Sequence, residues 1–234
     1  MSQKLIYVEN DYDGNYSRFW GNLGEVIQDC ELFLARPQDF DLVCFTGGED
    51  VDPEHYGHRN IRSGCSKKRD TEEQQVYDLA FRWKIPMTGI CRGSQFLNVM
   101  MGGTMVQDLQ ESHGGSPHEC RTADGEIFSV TSSHHQMSIL GSGGVLLAWA
   151  SETLPVEALV YDGDPRANLA SYHALLEDDK CMITEAFSYP NANIFAVQHH
   201  PEWQEINKEA PQWTLRMIQE YCFGERTTDE SMRR

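Results

Sequence analysis

Cys91 lies in the run Pro86-Met-Thr-Gly-Ile-Cys-Arg-Gly-Ser-Gln95, with Gly89 and Gly93 two residues to either side. A short apolar run, a G-x-C-x-G turn and a helix start make this the cysteine counterpart of the G-x-S-x-G nucleophile elbow. The spacing has a chemical reason. A nucleophile on a strained turn projects from the sheet edge, and the flanking glycines let strand and helix pack closely. The helix N-terminus that follows directs N–H groups and a positive dipole end at the sulfur, which favours the reactive thiolate.

A nucleophilic thiol needs a base, which the fold can bring from far along the chain. The segment Ala196-Val-Gln-His-His-Pro-Glu-Trp203 supplies one: a strand-like run ends in His199-His200, and Pro201 stops regular pairing. Glu202 lies two residues past His200, so in extended chain the two side chains point the same way. The carboxylate can then orient the imidazole and fix its tautomer, giving a Cys–His–carboxylate relay. His199 is a second imidazole beside the first. The spacing to Glu202 favours His200 as the base and leaves His199 to packing or a secondary polar contact.

The elements that must position these residues follow from periodicity. Lys4–Glu9, Cys30–Ala35, Asp41–Phe45 and Met87–Ile90 read as strands; Arg18–Asp29, Thr71–Lys84 and Ser94–Met101 read as helices. After Glu111 come short strand-like runs at 127–131, 145–149, 182–187 and 194–198, and a last helix at 211–223. Strand and helix alternate through the first half, which implies an open, doubly wound, mostly parallel sheet with helices on both faces. With no repeat or low-complexity linker, residues 1–223 read as a single domain and 224–234 as a frayed polar tail.

Composition narrows the function classes. A net charge of −17 argues against a nucleic-acid binder. No apolar run is long enough to span a bilayer, and the first residues lack the layout of a signal peptide. Seven irregularly spaced cysteines, never C-x-x-C, point to a reducing cytoplasm rather than a disulfide framework or a structural zinc site. Asp50, Asp52 and His55 are too few convergent ligands for a metal, and thiolate chemistry needs no cofactor. Against this acidic background Arg59, Arg62, Lys67, Lys68 and Arg69 gather five of the nineteen basic residues in one loop. That loop is either a solvated surface or a site for an anionic part of a substrate.

The ordered motifs resemble the class I glutamine amidotransferases, in the subgroup of γ-glutamyl-γ-aminobutyrate hydrolases, the C26 cysteine peptidases. Thr46–Gly57 is similar to the family's G-G-x-D-V-x-P-x-x-Y-G, and Arg69-Asp70 with Glu73 to its R-D-x-x-E. Pro86–Leu109 resembles the elbow, its helix and the G-G-T-x-x-Q-D-L that follows. Ser133–Gln136 resembles S-Y-H-H-Q, and Gln198–Trp203 the Q-W-H-P-E-W ending. The chain departs from the pattern at His199, where the family has Trp, at Thr131 for Asn and at Ser133 for Tyr. The last two lie on the side where the resemblance implies the leaving group.

The resemblance implies a flavodoxin-like fold with Cys91 as nucleophile, His200 as general base and then acid, and Glu202 as orienting carboxylate. It implies an oxyanion hole from the N–H groups of Gly48 and Arg92, with Gln95, His134 and Gly47 around the substrate. Arg69 and Asp70 read as anchors of the loop to the sheet rather than as groups that do chemistry. The implied substrate is a small γ-glutamyl amine, its leaving group open to being anionic. The alternative is a glutaminase component feeding ammonia to a synthetase partner. A homodimer is compatible with either, and a silent binding protein is disfavoured because Cys91, His200 and Glu202 are all present.

Overall fold

The computed structural model describes residues 3–110 and 115–224. Its backbone is a nine-stranded mixed sheet in the order β2-β1-β3-β4-β11-β10-β9-β6-β7. The parallel half contains β1 (Leu5–Val8), β2 (Glu25–Ile27), β3 (Leu42–Phe45), β4 (Met87–Ile90) and β11 (Ile194–Val197). The antiparallel half contains β6 (His118–Thr122), β7 (Ile127–Val130), β9 (Val145–Pro155) and β10 (Lys180–Tyr189). A separate ribbon pairs β5 (Thr104–Val106) with β8 (Met137–Ile139).

Strand alternation sorts the two faces. Ile6, Val8, Leu42 and Cys44 point into one core, against Phe19 and Trp20 of α1 (Asn15–Trp20) and Trp213, Met217 and Ile218 of α6 (Glu209–Tyr221). Tyr7, Val43 and Phe45 point into the opposite core, against Phe33 of α2 (Cys30–Ala35), Val76 and Ala80 of α3 (Lys67–Trp83) and Phe96 of α4 (Arg92–Met100). This is the period-two pattern of a sheet covered on both sides. A third core, around Leu109, Leu154 and Ile183, closes the antiparallel end beside α5 (Arg166–Ser171).

Two expected elements differ. Cys30–Ala35 is a helix rather than a strand, because the Asp29 carboxylate caps it by accepting from Leu32 N–H (2.9 Å). Only Phe33 of that apolar run is buried. The expected helix over 18–29 ends at Trp20, where Gly21 and the Asn22 side chain, bonded to the Phe19 carbonyl, close the turn. The chain then forms β2 along β1. Of the expected polar tail only Gly224 is described; 225–234 lie outside the described residues.

Two devices hold the elbow. A Cβ on Gly93 would collide with the Phe45 carbonyl, so only glycine lets α4 cross the end of β3 this closely. Beneath it, the Arg92 guanidinium is 1% exposed and is gripped by the carboxylates of Asp70 and Glu73 on α3. Glu73 also pairs with Arg69 (2.8 Å), and Asp70 accepts the Asp52 N–H (3.0 Å). Burial, then the neighbouring Arg69 charge, pull Arg92 down to about 10, so it stays charged at neutral pH.

Two outcomes follow for urea unfolding followed by circular dichroism. Gly93→Ala loses about 1–3 kcal/mol through overpacking against the Phe45 backbone. Asp70→Ala leaves a buried guanidinium short of a partner and costs about 3–5 kcal/mol. An unchanged midpoint in the second variant would remove the ion cluster from the account of the elbow.

Candidate active site

Three neighbouring parallel strands, β3, β4 and β11, end at the same edge of the sheet. Gly47 and Gly48 follow β3, Cys91 follows β4, and His199 and His200 follow β11. This carboxyl edge is where open α/β sheets carry their sites. Cys91 has φ 53° and ψ −114°, a strained conformation for a residue with a Cβ. It is held there by Cys91 N–H to the Val197 carbonyl (2.9 Å) and by its own carbonyl accepting from Ser94 N–H and Oγ (3.0 and 2.7 Å).

His200 is fixed from three directions. Thr131 Oγ1 accepts from His200 N–H (2.9 Å) and donates to its carbonyl (3.1 Å). The Nδ1 lies 2.6 Å from Glu202 Oε1. The ring stacks parallel on Trp203, with centroids 3.7 Å apart and planes 2° from coincidence. The remaining nitrogen, Nε2, is buried without another partner among the described residues, which leaves it for exchange with the Cys91 thiol. Burial alone would lower the pKa of His200. Hydrogen bonding and charge from Cys91 and Glu202 outweigh it and raise the value to about 10.

Gly47 is the spacer of this group: a Cβ there would lie 2.7 Å from Tyr16 Oη, 3.1 Å from His200 Cε1 and 3.5 Å from Cys91 Cβ. Tyr16 Oη accepts the Gly47 N–H (3.0 Å), and burial, then the Glu202 charge, keep its phenol protonated by raising its pKa. Gly48 takes φ +139°, and Arg69 occupies the space where a side chain would stand while bonding the Thr46 carbonyl (3.0 Å). The N–H groups of Gly48 and Arg92 have no acceptor among the described residues.

A cleft of about 180 Å³ opens beside Cys91, lined by Gly48, Arg92, Gln95 and His134 together with Glu49, Asp50, Gly64, Ser133, His135 and Gln136. Gln95 Nε2 donates to Gln198 Oε1 (3.1 Å), and its Oε1 is buried without a partner among the described residues, as is Gln136 Oε1. His134 lines the cleft, but its nitrogens face Gln136 O (2.9 Å) and Glu185 Oε1 (3.6 Å). Glu185, buried on β10, also meets His118 (2.9 Å) and His199 (3.7 Å). His199 is thus turned away from the thiol, toward Glu185 and Thr214.

The basic loop takes a different form from a site for an anion. Arg59 pairs with Asp162, Arg62 with Asp108, Lys67 with Glu54 and Asp52, Lys68 with Glu72 and Arg69 with Glu73. Only Gly64 of that segment lines the cleft. Asp50, Asp52 and His55 are spread among Gly64 and His135, Glu54 and Lys67, and Asp70, and do not converge. Sequence reasoning passed over Tyr16, the Trp203 stack and Glu185. Thr131, read as a leaving-group change, is instead the backbone clamp of His200. No sequence signal marks Tyr16, since only the fold brings α1 to Gly47; Trp203 is signalled by its place one residue after Glu202.

The sheet and its helices match the class I glutamine amidotransferase fold. A glutamine amidotransferase from Thermotoga maritima superposes with a TM-score of 0.56 at 11% identity, over 86% of this chain and 77% of that one. A glutamine amidotransferase-like protein of Lactococcus lactis is 33% identical over 69% of this chain and 66% of its own length. One component of the glutamine-hydrolysing GMP synthase of Picrophilus torridus is 25% identical over 62% of this chain and 63% of its own. The match therefore spans less than two thirds of these curated relatives. The Peptidase C26 family model matches residues 26–202, more than half of the sequence, and the chain belongs to that family.

Proposed function

We propose that the chain is a cysteine-dependent hydrolase of small γ-glutamyl amides, working in the cytoplasm. The observation that carries this reading is the meeting of Cys91, His200 and Glu202 at one sheet edge, beside two uncommitted N–H groups of Gly48 and Arg92. The Cys91 sulfur attacks the δ-carbonyl, and the oxyanion is received by those N–H groups. The imidazolium of His200 gives its proton to the leaving nitrogen as the C–N bond breaks, leaving a thioester on Cys91. His200, now neutral, takes a proton from water, which attacks the thioester and releases glutamate and the thiol. Glu202 holds the imidazole in the orientation both steps need. Buried acceptors at Gln95 and Gln136 suit the α-ammonium group of a glutamyl residue.

A second reading is favoured by the similarity to the Picrophilus GMP synthase component: the same chemistry on glutamine, with ammonia passed to a synthetase partner. Incubating the protein with glutamine and a panel of γ-glutamyl amines, and measuring glutamate, separates the two. The hydrolase reading expects steady turnover of amines by the chain alone. Turnover of glutamine only, and only with a partner added, would replace it with the second reading.

Cys91→Ala is expected to abolish glutamate release while leaving the circular dichroism spectrum unchanged; near wild-type turnover would remove Cys91 from its role. The pH dependence follows from His200. Its folded pKa is raised, so the imidazolium and any stability it brings are retained through neutral pH and lost as pH rises through about 10. The alkaline limb of kcat/KM should therefore fall near 10, and a limb at the ordinary histidine value would contradict the coupling to Cys91 and Glu202.

A further inference from the structure

Trp203 has no part in the steps above, yet it makes the closest ring contact of the site. The 3₁₀ turn Pro201–Trp203 folds residue 203 back over His200, with Trp203 N–H near the His200 carbonyl (3.3 Å). The indole then lies flat on the imidazole, centroids 3.7 Å apart and planes 2° from parallel. Trp203 is 52% exposed while His200 is 4% exposed, so a large apolar ring is spent at the surface as a cover. An exposed tryptophan face costs apolar hydration, and a structural anchor would be expected to bury more of it.

The other contacts leave a freedom that this one removes. Glu202 holds one ring atom and Thr131 holds the backbone, but neither stops the imidazole from tilting about the line between them. A face contact does. The charge state adds a reason, since a protonated imidazole against an indole face gains cation–π attraction. Around His200 stand Glu202, Cys91 and, beside its Cε1, Gly47 with Tyr16 beyond it. Glu202 and Cys91 engage the ring through hydrogen bonds at its edge, whereas Trp203 covers a face.

We propose that Trp203 is the positioning residue of His200: its indole face holds the imidazole in the plane joining Glu202 to Cys91 and keeps water off the ring. The proposal rests on Cys91 and His200 being the reacting pair proposed above. Its test therefore includes a reaction that needs no substrate. Alkylation of Cys91 by iodoacetamide in the resting protein, followed by mass spectrometry of the Cys91 peptide, reads the thiol–imidazole pair directly. Release of p-nitroaniline from γ-glutamyl-p-nitroanilide reads turnover.

In Trp203→Ala, alkylation of Cys91 and kcat should each fall about tenfold, the size of one cation–π contact, with KM within about twofold. Trp203→Phe, which restores an aromatic face, should recover both to within about threefold. Trp203→Leu, apolar but without a π face, serves if the alanine variant does not fold, and should behave as the alanine variant does. Unchanged alkylation with a raised KM would overturn the proposal and make the indole a contact of the leaving group. A phenylalanine variant as impaired as the alanine one would also overturn it. If the wild-type protein releases nothing from any γ-glutamyl amide, the functional reading fails, and the alkylation series still decides the role of Trp203.

Discussion

The arrangement depends on one buried charge. Arg92 is the residue after Cys91, and its guanidinium is sealed between Asp70 and Glu73 beneath the elbow. Taking a guanidinium out of water is costly unless its partners are well placed, so the cluster tolerates few alternative geometries. Holding the Arg92 side chain fixes the first turn of α4, and with it the backbone N–H of Arg92 and the strained φ of Cys91. Through Arg69, which bonds both Glu73 and the Thr46 carbonyl, the same cluster sets the loop that carries Gly48. One ion network thus places the thiol and both N–H groups beside it.

The second half of the site comes from the sheet itself. β11 lies next to β4 in register, Val197 opposite Ile90, so the residues that follow the two strands emerge side by side. Thr131, at the end of β7, reaches across the sheet edge to clamp the His200 backbone. The antiparallel half therefore contributes rigidity to a site built on the parallel half. Glu185 does the same for the wall of the cleft: one buried carboxylate gathers His118, His134 and His199 from three separate segments. That gathering explains why the second imidazole of the His-His pair does not compete for the thiol. It also explains why His134 lines the cleft with both nitrogens already turned to protein acceptors.

Much of this was legible in the chain because it is written in short range. The glycines around Cys91 announce a close strand–helix crossing, and the two-residue step from His200 to Glu202 announces a shared direction. Both are local geometry, and local geometry survives in sequence. One misread segment has a local reason as well. Cys30–Ala35 carries a strand-like apolar run, but the capping carboxylate of Asp29 starts a helix there. The basic loop stayed open between a solvated surface and a site for an anion because its acidic partners, Asp162 and Asp108 among them, are distant in sequence.

By itself the sequence determined the glycine-flanked turn at Cys91, the order of the motifs, four strands of the parallel half-sheet (β1, β3, β4 and β11), and the pairing of His200 with Glu202. Only the tertiary structure decided which imidazole meets the thiol and what holds it there. It also showed that the R-D-x-x-E carboxylates grip the elbow arginine, and that Tyr16 and Trp203 close around the site. The division has a physical cause. Backbone conformation and side-chain direction are set by near neighbours, whereas burial and charge pairing are set by whatever the fold brings alongside.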